Sequence, residues 1–157
     1  MSAQFGFESS VTITRPADTT AYAANDVVGG VIEFPFMTGR NRPLYVTGSR
    51  FLINDSSVIS GETSYNLHFY KNTPPSAYAD NAAWDLPAGD RSVYLGYISL
   101  GTPVDLGSTL YVEQNVINKE IKGAGDTNSV FAYLVTVGAY TPTVQRVYVP
   151  TITGLWV

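Results

Sequence analysis

A chain of 157 residues is long enough for one domain that buries roughly two thirds of its unfolded surface. Apolar residues make up 45% and charged residues only 14%, so the chain is globular and not disordered. A net charge of −4 and a pI near 4.7, with scattered basic residues, argue against direct binding to duplex nucleic acid, which needs clustered Lys and Arg. There is no cysteine, which excludes disulfides and thiolate metal sites. The first residues lack the basic and apolar regions of a secretory signal, and no run reaches membrane-span length, so no membrane partner is expected.

Short β-type runs follow one another along the chain. Residues 11–14 alternate and stop at Arg15 and Pro16, and residues 18–26 read as a turn-rich connector. Residues 27–36 are β-rich, with Gly29 and Gly30 predicting a bulge or a close backbone approach and Pro35 an edge or a strand end. After a turn at 39–43, residues 44–54 form a long strand broken at Gly48. In residues 65–70, Tyr65, Leu67 and Phe69 share one face, and Asn66, His68 and Tyr70 the other. Residues 77–85 could make one short helical turn. Residues 92–100 and 109–117 are strands, and Lys119, Glu120 and Lys122 mark a turn. Residues 129–137 are apolar on both faces, as in a strand covered on each side. Residues 144–149 and a last run of Leu155, Trp156 and Val157 complete the set.

About eight or nine strands with Gly, Pro, Asn and Asp between them predict an all-β, antiparallel β-sandwich of jelly-roll type. With no internal repeat or linker, the expectation is a single domain over residues 1–157, with residues 1–9 as a possible N-terminal arm.

Constellations for chemistry are sparse. The single histidine, His68, lies mid-strand without a recognisable nucleophile or acid motif, so a hydrogen-bonded structural role is expected. No Gly-x-Ser-x-Gly elbow, Gly-x-Gly-x-x-Gly pattern or Walker loop is present. Asp80, Asn81, Asp85 and Asp90 supply oxygen donors, but calcium-loop spacing is missing, and turns and caps explain them. Catalytic, cofactor and metal residues are therefore expected to be none. Tyr78 and Trp84 could be platforms for a carbohydrate, although a loop of this length usually packs by its own side chains, with Trp84 as its plug. Eleven Tyr and seven Phe suit both cross-strand pairs and interfaces.

The block from Leu67, His68, Phe69 and Tyr70 through Pro74, Pro75, residues 80–87, Asp90 and Arg91 to residues 94–98 resembles a segment of small virion structural proteins of tailed bacteriophages. Residues 11–29, 102–107 and 134–142 are similar to further segments of that family, and residues 150–157 match no pattern in it. The resemblance covers most of the chain and implies no catalytic residues. It implies a capsid decoration, or cement, protein on the outer surface of a phage head, made in the host cytoplasm. Its partners would be the major capsid protein and further copies of itself, as a dimer or trimer. Phe5 and Phe7 near the start, Tyr78 and Trp84 in the loop, and Leu155, Trp156 and Val157 at the end are the interface candidates. A tail or receptor-binding module, with exposed aromatics around residues 77–90, is the alternative; a small hydrolase would need a polar pocket around His68.

Overall fold

The structure is a computed structural model that describes residues 6–35 and 42–157. Its strands are β1 (Gly6–Ser10), β2 (Ile13–Thr14), β3 (Val27–Phe34), β4 (Leu44–Ile53), β5 (Tyr65–Tyr70), β6 (Tyr94–Gly101), β7 (Val104–Asp105), β8 (Leu110–Gln114), β9 (Lys119–Ile121), β10 (Val130–Thr136) and β11 (Val147–Trp156). Among the described residues the only helical element is one 3-10 turn, Ala88–Asp90.

One sheet has the order β1-β11-β4-β8-β7, with β2 also against β11 and β9 against β4; the other is β3-β10-β5-β6. All pairings are antiparallel. The chain crosses between the sheets after β2, β3, β4, β6, β9 and β10, which produces the interleaved Greek keys of a jelly roll. The all-β sandwich read from the sequence is therefore the observed fold.

The core follows from side-chain alternation. Phe34, Leu67, Phe69, Leu100, Ala132 and Leu134 from one sheet meet Leu44, Val46, Phe51, Ile53, Tyr148 and Ile152 from the other, all fully buried. Phe51 stands edge-on to Tyr65 at 5.0 Å and stacks on Tyr148 at 6.3 Å. β10 is covered on both sides, as its two apolar faces predict. Its second face, Tyr133 and Val135 with Phe131, packs with Tyr70 and Val27 beneath the connection over residues 71–93.

Glycines mark the irregular places. Between Val28 and Val31 the register against β10 jumps, leaving Gly29 and Gly30 as extra residues with φ of +81° and +93°. A Cβ on Gly29 would lie 2.2 Å from Ile13 Cγ2, so the predicted bulge also lets β2 approach. In β4 the register shifts beside Gly48, where Thr47 is the extra residue.

Several local readings change. The runs expected at 144–149 and 155–157 meet in one ten-residue strand, β11 (147–156), that runs through Pro150. Val11 N–H donates to the Pro150 carbonyl at 3.1 Å. A strand residue's N and O face the same side, so the N–H that proline lacks would point into the gap between β1 and β2, where no ladder bond is lost. Lys119 and Glu120 lie in β9, paired with Val46 and Tyr45, and not in a turn. The short helical turn falls at Ala88–Asp90, beyond residues 77–85. The arm over residues 1–9 is an edge strand from Gly6 onward, because β1 supplies hydrogen-bond partners to a flank of β11. Phe5 lies outside the described residues.

Phe7 in β1 and Trp156 in β11 face each other at 5.7 Å over Gly154. A Cβ on Gly154 would sit 2.6 Å from the Phe7 ring and 2.0 Å from the Tyr45 carbonyl oxygen. Gly154→Ala is expected to cost about 1–3 kcal/mol of overpacking strain, while Gly89→Ala, with open space around it, serves as a neutral control. Urea midpoints of the two variants check this; equal midpoints would remove Phe7 from its assigned seat.

Candidate functional site

The connection between β5 and β6 is held down by its own side chains. Trp84 Nε1 donates to the Tyr70 hydroxyl at 3.1 Å and its backbone N–H to the Asn25 carbonyl at 2.8 Å. Tyr133 OH donates to the Ser76 carbonyl at 2.6 Å, and Tyr78 N–H donates back to Tyr133 OH at 3.2 Å. Tyr78 and Trp84 are thus half-buried in the second apolar cluster, and the loop is plugged as the sequence suggests. Tyr97, in the adjacent strand, is the exposed ring of this face.

His68 lies under the plug. Its ring centroid is 3.8 Å from that of Trp84 and 5.1 Å from that of its cross-strand neighbour Tyr97, and Nδ1 is 2.9 Å from Tyr94 OH. Burial pushes its pKa down to about 4, since no carboxylate sits close enough to favour the charged ring. The arrangement keeps His68 neutral and packed, so the pocket a hydrolase would need around it is filled by Trp84. A general base also needs a substrate proton within reach, and the histidine side chain is closed off from solvent.

The acidic residues of the loop do not converge. Asp80 Oδ1 accepts from Tyr22 OH at 2.6 Å and from Gly29 N–H at 2.8 Å. Asp90 is buried and accepts from Ser76 N–H at 3.2 Å, while Asp85 is exposed. Among the described residues, no group of three His, Cys, Asp or Glu is placed to hold a metal ion.

Two buried arginines organise the region where β2, β10 and β11 meet. Arg15 donates through Nε to Tyr22 OH at 2.9 Å, through Nη1 to the Asp18 carbonyl at 2.7 Å and through Nη2 to Asp18 Oδ1 at 3.0 Å, with Asp80 Oδ2 3.7 Å away. Arg146 forks onto Glu62 with two bonds of 2.9 Å. Its Nε is 2.9 Å from Asp55 Oδ2 but off the N–H axis, a charge contact without a hydrogen bond. Tyr65 OH donates to Glu62 Oε1 at 2.6 Å, and the hydroxyls of Tyr65, Tyr140 and Tyr148 continue the network at 2.7 and 2.9 Å. Burial holds these phenols above their ordinary pKa. Arg15 N–H also donates to the Arg146 carbonyl at 3.0 Å, which joins the two networks through the backbone. Isolated charges in a sequence give no motif for such sites; Glu62 and Arg146 are 84 positions apart.

Of the terminal candidates, Trp156 and Phe7 pack against the main core, whereas Leu155 and Val157 are exposed. The loop pair and the terminal group are not brought together: Tyr78 and Trp84 cover the outer face of β10, in the opposite sheet from β11.

No protein-family model matches the chain, and a comparison with curated proteins finds no match. Solved structures with a partial likeness to this chain include virus particles. The native virion of Kashmir bee virus at neutral pH is 11% identical, with a TM-score of 0.37, covering 93% of this chain and 68% of that one. Desmodium yellow mottle tymovirus is 14% identical, with a TM-score of 0.31 and coverages of 99% and 87%. The acidic stable capsid of Helicobacter pylori bacteriophage KHP30 is 9% identical, with a TM-score of 0.32 and coverages of 98% and 93%. These likenesses are coarse, and the jelly-roll assignment rests on the strand order of this chain.

Proposed function

We propose that the protein is a non-enzymatic virion component, a single-domain capsid decoration protein on the outer surface of a tailed-phage head. It would bridge neighbouring major capsid subunits as a homo-oligomer. The observation that carries this reading is where the phage-like segments meet. Arg15, Asp18, Tyr22 and Gly29 of the first segment, Asp80 of the second and Tyr140 of the last are joined by side-chain bonds and by the Tyr22–Tyr140 backbone bridge. Residues shared with that family are therefore spent on holding a fold together, as expected of an assembly part whose signature is structural. The filled surroundings of His68 support the same reading against the hydrolase alternative.

Leu155 and Val157 are the exposed apolar groups of this end that would meet the shell, while Phe7 and Trp156 pack together against the core. Removing residues 1–8 would unpair part of β11 and uncover Trp156, so the test of attachment is substitution and not truncation. Heads lacking the protein should take it up from solution, and Leu155→Ser with Val157→Ser should weaken uptake by about tenfold, as for loss of two interface anchors. Cosedimentation and electron microscopy of reconstituted particles read this. Binding to tails alone, or selective capture on a glycan array through the Tyr97 face, would replace the decoration reading with the receptor-binding one.

A further inference from the structure

The chain has three lysines, and the fold brings them to one end of the sandwich. Lys71 and Lys122 line an open concavity with Asn72, Leu95 and the backbone of Gly123, Ala124 and Gly125. Lys119 stands beside it: its Nζ lies 2.6 Å from where a Cβ on Gly96, the neighbour of Leu95, would be. Gly96 has φ of +90°, so the bulge that Leu95 makes in β6 both presents the leucine to the concavity and leaves room for the lysine stem. Three of the arginines are paired elsewhere. Arg15 and Arg146 are buried in ion pairs and Arg50 pairs with Glu8 at 2.8 Å. None of the three lysines forms an ion pair among the described residues. The nearby carboxylates are turned to other work or to solvent: Glu120 accepts from Tyr45 OH at 3.2 Å, Glu33 from Ser129 Oγ at 2.5 Å, and Asp126 is exposed.

We infer that this concavity is a docking seat for an acidic polypeptide segment of a partner protein, one whose carboxylates meet Lys71, Lys119 and Lys122 while an apolar side chain rests on Leu95. Three features select that occupant. Unpaired ammonium groups around a partly apolar floor favour alternating acidic and apolar side chains. Glycines along one wall leave bare backbone that a second chain can approach closely. Three cations on a molecule of net charge −4 are too few to hold the dense phosphates of a nucleic acid or an anionic membrane, which the rest of the surface repels. The seat stands on these residues and does not require the capsid reading.

The test is an amide NMR titration of the full chain at low ionic strength with a Glu-Leu-Glu-Glu-Leu-Glu peptide, against inorganic phosphate and an oligothymidylate as comparison probes. The peptide should shift the amides of Lys71, Asn72, Gly96, Gly123 and Gly125 in a saturable way. Affinity should fall about tenfold in the Lys71→Gln, Lys122→Gln double variant and again at high salt, by the loss and screening of the charge contacts. That variant should melt with the parent, since neither side chain is paired, so lost binding is not lost folding. Absence of localised shifts, equal shifts with phosphate, tighter binding of the oligothymidylate, or a double variant that binds as well as the parent would each overturn the assignment.

Discussion

Replacing Glu62 by Gln is expected to lower the unfolding free energy by about 3 kcal/mol, the lower end of the range for removing one member of a buried ion pair. Both side chains are shut off from water, and Arg146 receives two 2.9 Å bonds' worth of compensation from this one carboxylate. Asp55 remains within 2.9 Å of Nε, which is why the loss stays at the lower end. Tyr65 OH would also exchange an ionised acceptor for a neutral amide. The double change Glu62→Leu with Arg146→Met should cost far less than the single one, because the orphaned charge leaves with its partner. Urea denaturation of the three proteins reads the comparison. A Glu62→Gln protein as stable as the parent would mean that the network does not carry the buried charge.

Acidification is expected to destabilise the protein through His68. Its folded pKa is pushed down to about 4 by burial, against an ordinary value of 6.5. Between those two values the unfolded chain takes up a proton that the folded chain refuses, so stability falls as pH drops from about 6.5 to about 4 and the histidine contributes no further loss below that. The difference corresponds to about 3 kcal/mol at 1.36 kcal/mol per unit. His68→Phe keeps a ring beneath Trp84 and removes the titration, so its stability should be flatter over this range, and Tyr94, which is half-exposed, can turn its hydroxyl to water. Urea midpoints measured across the range, with Trp84 fluorescence as the local reporter, check it. Parallel pH profiles for parent and variant would show that His68 is not held neutral by the plug.

Local readings succeeded where a few adjacent residues carry the physics. Alternation placed Tyr65, Leu67 and Phe69 in the main core, and β5 has the expected limits. Two successive glycines were enough to locate the bulge of β3, because only a residue without Cβ tolerates those φ values beside Ile13. The two apolar faces of β10 signalled a cover on each side, although nothing local said that the second cover is the 71–93 loop. β9 is not legible locally because Lys119 and Glu120 have weak strand preference, Ile121 alone makes no run, and the three are strand only through their pairing with β4. β11 was split at Pro150, whose cost depends on which side of the strand lacks a neighbour.

The amino-acid sequence by itself determined the all-β class, the bulge and the inward faces of the principal strands, since each depends on side-chain alternation and backbone sterics within a few residues. It also determined the excess of negative charge and the lack of any thiol chemistry, which are properties of composition. Only the tertiary structure decided the strand order, the seating of Trp84 over His68, the union of Arg146 with Glu62, and the gathering of Lys71, Lys119 and Lys122 at one end. Those outcomes join positions tens of residues apart, and their energies come from desolvation and charge pairing, which exist only once the two sheets have closed on each other.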